Sequence, residues 1–271
     1  MLRSLWTAAS GMKAQQTNVD TIANNLANIN TTGYKSERVE FQSLLYQTIQ
    51  GTTYNSEGDV KPVPAQVGLG VKSGAITSNF TQGAYQASDG LFDFAIDGDG
   101  FFQVQLPDGN IGYTRNGALK MAVDTDGMTL ATADGYPVLD VDGNKVTVDS
   151  SYNTSLIKVD TSGNLTYPDA NNNYQPMGIQ IGLVQFNNPA GLTKASDSIY
   201  KESEASGTPR MEATDGELSA SLLQQGYLEA SNVSAADEMV NLIIAQRAYE
   251  MNSKAITASD EMLQQANNLR R

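Results

Sequence analysis

The sequence predicts an α+β fold: long amino- and carboxyl-terminal helices pairing as a coiled coil, a mainly antiparallel β domain inserted between them, and assembly into a helical polymer. Three observations lead there. At the amino end Leu2, Leu5, Ala9, Met12, Val19, Ala23 and Leu26 follow an alternating three-and-four spacing, with Gln16 the one polar member. At the carboxyl end Val240, Ile244, Ala248, Met251, Ala255, Ala258, Met262 and Leu269 make one stripe, and Met239, Leu242, Tyr249, Ile256 and Leu263 make a second beside it. Between the ends, Gly, Asn and Asp punctuate short β-prone runs. One stripe buries a helix against one neighbour; two stripes ask for more partners than a single chain supplies. Further copies of the chain are the natural source.

The first helix is expected from about Ser4 to about Ile29, with Gly11 its one weak point and no Pro before Pro62. Its end holds Asn24, Asn25, Asn28 and Asn30, then Thr31-Thr32-Gly33, where Gly33 suits a left-handed turn. Asn is a poor helix former, so Asn24, Asn25 and Asn28 are expected to use their amides on a neighbouring helix.

Residues 31–70 read as an extended connecting segment with little core of its own, interrupted by Gly51, Gly58, Pro62 and Pro64. Phe41, Leu44, Leu45, Tyr46 and Ile49 are too densely apolar for a solvated linker. They are expected to grip a neighbouring copy and stiffen the polymer.

Residues 71–232 form the β-rich domain. Phe101 to Leu106 reads as a strand, Pro107-Asp108-Gly109-Asn110 as its turn, and Ile111 to Arg115 as the return. Asp126-Gly127, Asp134-Gly135, Asp142-Gly143 and Ser162-Gly163-Asn164 repeat the turn signal. The closing helix starts at Ser234-Ala-Ala-Asp237, a capping-box-like sequence, and meets no Gly or Pro after Gly226. About 35 residues at 1.5 Å each give a rod of roughly 50 Å. Arg270 and Arg271 suit its carboxyl end. The helical domain therefore comprises 1–30 with 233–271.

Composition narrows the chemistry. Absence of Cys and His excludes thiolate and imidazole catalysis, disulfides and Cys/His zinc sites within this chain. Residues 1–40 balance to +1 and 233–271 to −1, so the nine basic and twenty-two acidic residues of 41–232 hold the whole net charge of −13. Neutral ends can pack closely in a polymer, and an acidic exterior stays soluble and disfavours nucleic acid. MLRSLWTAASGMKAQQTN lacks the apolar core of a cleavable signal peptide, and no run is long enough to span a membrane.

Several tracts imitate ligand sites and fail on spacing. Asp97-Gly98-Asp99, Asp124-Thr125-Asp126-Gly127 and Asp140-Val141-Asp142-Gly143-Asn144 place Gly wrongly for a calcium loop and lack its closing Glu. Val67 to Gly74 fits neither nucleotide-loop pattern. No pair among the thirty acids stands out as a glycosidase site. No enzyme, metal or cofactor is expected.

ANNLANINTTGYK at 23–35, QGYLEASNVS at 225–234 and EMVNLIIAQRAYEMNSK at 238–254 closely resemble the signatures of the bacterial flagellar axial proteins, the rod and hook family. FQSLLYQTI at 41–49 and DGDGFFQVQLPDG at 97–109 look most like the distal rod members; 140–215 is less distinctive. The resemblance implies a rigid hollow shaft whose inner wall is the paired terminal helices, stiffened by the segment after the first helix. It implies torque transmission to the hook and a conduit for export. Its partners would be further copies, the proximal rod and hook-side axial proteins, and bushing rings where an outer membrane exists. Delivery to the basal body would use the flagellar type III export apparatus, without a cleaved signal or membrane insertion. On this reading Leu5, Met12, Val19, Leu26, Asn24, Asn25, Asn28, Met239, Leu242, Ile244, Tyr249, Ile256 and Leu263 carry self-assembly. The alternatives are a proximal rod or hook protein, or a secreted cell-wall binding module or hydrolase on a helical stalk.

Overall fold

The computed structural model describes residues 2–50, 65–124, 127–169, 173–195 and 198–268. The chain is α+β, with a helix at each end and mainly antiparallel strands between, and it divides into two compact units. The first comprises Met1–Ala27, Glu37–Thr77 and Ser234–Arg271; the second comprises Asn28–Ser36 and Ser78–Val233.

In the first unit, helix α1 spans Leu2–Ala27 and α2 spans Ala235–Asn268. α1 stops two residues before the expected Ile29, inside its Asn-rich end, where side-chain amides compete with the helical ladder. The 34 residues of α2 give a rod of roughly 50 Å. Asp237 and Glu238 sit in its first turn, where negative charge complements the helix dipole. Leu269, Arg270 and Arg271 lie outside the described residues, as does the side chain of Leu2.

Where the sequence suggested a single extended arm, the chain is paired. β1 (Glu37–Ser43) and β2 (Tyr46–Gln50) run against β3 (Ala65–Gly68) and β4 (Val71–Ser78). Tyr46 faces Gly68, and Leu44 N–H donates to Gly70 O at 2.9 Å, so the two pairings join into one antiparallel ribbon. Most of its side chains are exposed, which agrees with the expectation of little core. Gly51, Gly58, Pro62 and Pro64 lie outside the described residues.

The second unit is built on a six-stranded antiparallel sheet. Its order is Thr193–Lys194, Ile199–Lys201, Ile111–Thr114, Phe101–Gln105, Leu183–Gln185, Arg210–Met211. The expected hairpin is at its centre: Phe102 pairs with Thr114 and Gln105 with Ile111, and Gly109 takes φ +76° in the turn. Successive side chains of a strand point to opposite faces. Phe102 and Val104 enter a core with Ile96, Leu130, Val138, Leu165, Ile181 and Leu223. Phe101 enters a second cluster with Tyr113, Val184, Phe186 and Tyr200. Burial on both faces explains why this strand reads as a continuous apolar run rather than an alternation.

Two three-stranded sheets and two strand pairs, Leu222–Gln225 with Phe94–Asp97 and Tyr227–Glu229 with Tyr85–Ala87, stand beside the six-stranded sheet. One three-stranded sheet pairs Gly127–Thr132 with Leu119–Asp124 and Thr147–Val148; the other pairs Asn164–Pro168 with Lys158–Val159 and Tyr174–Gln180. The Asp140 tract serves a turn: its carboxylate accepts the N–H groups of Val141 and Gln180, at 2.6 and 3.2 Å. Thr125 and Asp126 lie outside the described residues. No helix among the described residues is long and apolar enough to cross a membrane.

Candidate assembly interface

α1 and α2 pack antiparallel on a narrow seam of small and polar residues. Ser4 meets Ser259, their hydroxyls 3.3 Å apart. A Cβ on Gly11 would lie 2.9 Å from the Asn252 amide nitrogen. Asn25 Nδ2 donates to Glu238 Oε1 at 3.0 Å. These pairs keep one register along the helices, and Ala8, Ile22, Ala245 and Ser259 are buried along them. Small side chains let two helices approach closely but bury little apolar area.

The apolar stripe of α1 flanks this seam rather than forming it, whereas on α2 the stripe of Leu242, Ile256 and Leu263 runs beside Ala245, Asn252 and Ser259 on the side that meets α1. Leu5, Met12, Val19 and Leu26 are half-buried, while Ala9, Gln16 and Ala23 are exposed. On α2, Leu242, Ile256 and Leu263 are half-buried, whereas Met239 and Tyr249 are exposed. The other α2 stripe is open: Val240, Ile244, Met251 and Met262 are all exposed, Ile244 at 61%. Trp6, which the stripe pattern passed over, is 76% exposed on α1. Its signal was available, since it is the chain's one Trp.

The Asn-rich turns divide in role. Asn25 is buried, and its amide reads the backbone of Glu37 twice: Oδ1 accepts the N–H at 2.8 Å and Nδ2 donates to the carbonyl at 2.9 Å. With its bond to Glu238, one side chain ties α1, β1 and α2 together. Asn24 is exposed, and Asn28 Oδ1 accepts from the Thr31 hydroxyl at 3.1 Å, inside the second unit. The neighbour that Asn25 bonds is thus the same chain's own α2.

Besides Asn25 at its start, the ribbon is held to α1 at a second point. Ser10 Oγ accepts the Val71 N–H at 3.3 Å, and Gly70, at φ +123°, lies too close to that hydroxyl for a Cβ. Phe41, Leu45, Tyr46 and Ile49 are exposed, Leu45 at 82%, and Leu44 is half-buried.

Within the second unit the two signature segments meet in a fully buried ionic cluster. Lys35 Nζ lies 2.6 Å from Glu229 Oε1 and donates to the Thr81 carbonyl at 2.9 Å. Arg115 reaches Glu229 Oε2 at 3.4 Å and the Gly98 carbonyl at 2.7 Å, its guanidinium 5.2 Å from the Phe101 ring centroid. Gly83 N–H donates to Glu229 Oε1. Gly33, at φ +69°, gives its N–H to the Glu229 carbonyl and sits against the Arg115–Asn116 backbone, where a Cβ has no room. Asn232 accepts from Ser36 N–H and donates to the Asn79 and Thr81 carbonyls. Burial pulls the Lys35 ammonium below its ordinary pKa, against the opposing pull of Glu229. The sequence displayed Lys35 and Glu229 inside its two most specific motifs but gave no means of pairing residues 194 positions apart.

The cluster fixes where the second unit ends. Sequence alone puts protease-sensitive ends before about 35 and after about 230. Lys35, Glu229 and Asn232 move those limits outward. Limited proteolysis of the dilute subunit should yield resistant termini near Asn28 and Val233, read by mass spectrometry; cutting between Thr32 and Ser36 would contradict the clasp.

Among the described residues no three metal-ligating side chains come together. What the arrangement offers is surface: an open apolar stripe on α2 and an exposed apolar ribbon. Three family models match such a chain: "Flagella basal body rod protein" over 5–35, "Flagellar hook protein FlgE/F/G D1 domain" over 95–167, and "Flagellar basal body rod FlgEFG protein C-terminal" over 224–269. A flagellar basal-body rod protein FlgG from Borreliella burgdorferi is 45% identical over 280 residues, covering all of both chains. The chain belongs to the flagellar basal-body rod protein family. The FlgG of Bacillus subtilis is 40% identical, again over all of both chains, and that of Caulobacter vibrioides 42% over 99% of this chain and all of its own. The rod-family matches cover α1 with the Lys35 segment, and α2 with the Glu229 segment. Most of the seam, and Lys35, Arg115 and Glu229 of the clasp, fall inside the matched stretches.

Proposed function

We propose that this chain is a structural, non-catalytic subunit of the distal flagellar rod, polymerising into a rigid hollow shaft that carries torque toward the hook and serves as an export conduit. The observation that carries this reading is full-length identity of 40–45% to proteins named flagellar basal-body rod protein FlgG. The open stripe of Val240, Ile244, Met251 and Met262 supports it, because a second copy of the chain is the partner a polymer supplies at every site. In the shaft the paired helices act as a coiled coil, contacting proximal rod and hook-side proteins at its ends and bushing rings where an outer membrane exists. Export through the type III apparatus delivers the subunit. The test is genetic: deletion of the gene should give non-motile cells without hooks, restored by the intact gene. Motile deletion cells would sink the proposal, and robust release of peptidoglycan fragments by the pure protein would favour a wall hydrolase instead.

The ribbon is the stiffening element in this reading. Its apolar groups are exposed in the single chain, and burying two or three of them against a neighbour contributes roughly 4–8 kcal/mol, offset by the entropy of ordering the side chains. Deletion of 44–53 extends past the described residues at Gly51, so the cleaner variant is Leu45→Ser/Tyr46→Ser/Ile49→Ser. It should still polymerise but give visibly more curved shafts in electron micrographs. Shafts as straight as the parent's would place stiffness elsewhere in the chain.

A further inference from the structure

The exposed methionines among the described residues all stand on α2: Met239, Met251 and Met262. Met251 is 64% exposed and Met262 50%. Met12, Met121, Met128, Met177 and Met211 are half-buried, and the Met211 sulfur accepts the Gln103 amide at 3.0 Å. Met251, Ala255, Ala258 and Met262 follow four-three-four steps, so the two thioethers share one face of the helix with two alanines between them. The chain has no Cys to intercept an oxidant first. On the polymerisation reading above, on which this inference rests, these sulfurs are open in the free subunit and covered in the shaft.

We propose that Met251 and Met262 form an oxidation site that controls assembly: peroxide-class oxidants convert them to sulfoxides in the free subunit, and the oxidised subunit no longer enters the polymer. In this step a thioether lone pair attacks one oxygen of hydrogen peroxide. The O–O bond breaks as an S–O bond forms, and the second oxygen leaves as water with both peroxide protons. Sulfur loses two electrons and the peroxide gains them. The product is polar and its oxygen demands a hydrogen-bond donor. Val240, Ile244, Ala255 and Ala258 along the stripe carry no side-chain donor. The nearest donors to Met251, Arg247 and Lys254, are exposed at the stripe's edge, Arg247 bonded to Glu250 at 2.9 Å, so burying the sulfoxide among the apolar side chains is unfavourable. Because each copy carries both sites, the penalty recurs at every subunit. The modification is reversible by methionine sulfoxide reductases, which makes it a switch rather than only a lesion.

The test uses the purified full-length subunit, treated or not with hydrogen peroxide, with peptide mass spectrometry to locate sulfoxides and sedimentation with electron microscopy to score assembly. Oxidation at Met251 and Met262 should raise the critical concentration about tenfold or more. Treatment with both epimer-specific reductases should restore the original value. Met251→Leu/Met262→Leu should assemble equally well before and after peroxide. Treated wild type that carries both sulfoxides yet assembles at the untreated concentration overturns the proposal. So does equal inhibition of the Leu variant, which would place the damage elsewhere. Should the untreated wild type fail to assemble at any concentration, the polymerisation reading itself falls, and this inference with it.

Discussion

Ile244→Asp should abolish motility while leaving the folded single chain unchanged. In the free subunit Ile244 is 61% exposed, so a carboxylate there remains solvated. In the proposed shaft the same position is covered, and burying an unpaired carboxylate costs several kcal/mol at each subunit. Leu242→Asp and Ile256→Asp, which the stripe pattern alone recommends, are less informative. Both positions are half-buried in the single chain on the side of α2 that meets α1, so a charge there weakens the helix pair as well as any interface. The comparison is circular dichroism and thermal melting of each purified variant beside swimming of the complemented deletion strain. Expected is a wild-type melt with no swimming for Ile244→Asp, and a loss of helical signal with no swimming for Leu242→Asp. Normal swimming by Ile244→Asp would remove the open stripe from the assembly surface.

That contrast shows how far the sequence could be read. Periodicity found both helices and identified two α2 stripes, because apolar residues at helical spacing mark whatever face will be buried. It could not say which face is buried within the chain and which is left for others. The answer depends on Ser4, Gly11, Asn252 and Ser259, small or polar residues that carry no hydrophobic signal yet allow close approach. Asn25 was singled out for breaking helix propensity, and its amide does reach a neighbouring helix. Its two hydrogen bonds to the Glu37 backbone were invisible, since the alternation Arg38-Val39-Glu40-Phe41-Gln42 marks a strand but not which side chain meets its first residue. The central hairpin was legible from turn chemistry at Gly109 and from its apolar run. Pairing of residues 37–50 with residues 65–78 was not, because the Gly and Pro between them obscured the return strands.

The buried ionic cluster gives the second large effect, and its pattern is more diagnostic than its size. Glu229 serves two cations and the Gly83 N–H from a site where all three charged side chains are buried. Removing one partner of a buried ion pair costs about 3–5 kcal/mol, because the other is left charged and uncompensated. Glu229→Ala strands both Lys35 and Arg115, so it should fall at or above the top of that range. A domain of this size loses about 2–4 °C in melting temperature per kcal/mol, so the transition of the second unit should drop by roughly 10–20 °C. Lys35→Met should cost less: Glu229 keeps Arg115 at 3.4 Å and the Gly83 N–H, and the methionine stem fills most of the lysine's volume. The double variant Lys35→Met/Glu229→Ala should then be more stable than the sum of its parts, since the lysine charge that Glu229 neutralised is gone. A coupling of about 1–3 kcal/mol is the expected scale for contacting buried groups. Melting curves of the wild type, two single variants and the double variant measure it directly. If the two losses simply add, Lys35 and Glu229 do not act as a pair, and the meeting of the two signature segments is a matter of packing rather than charge.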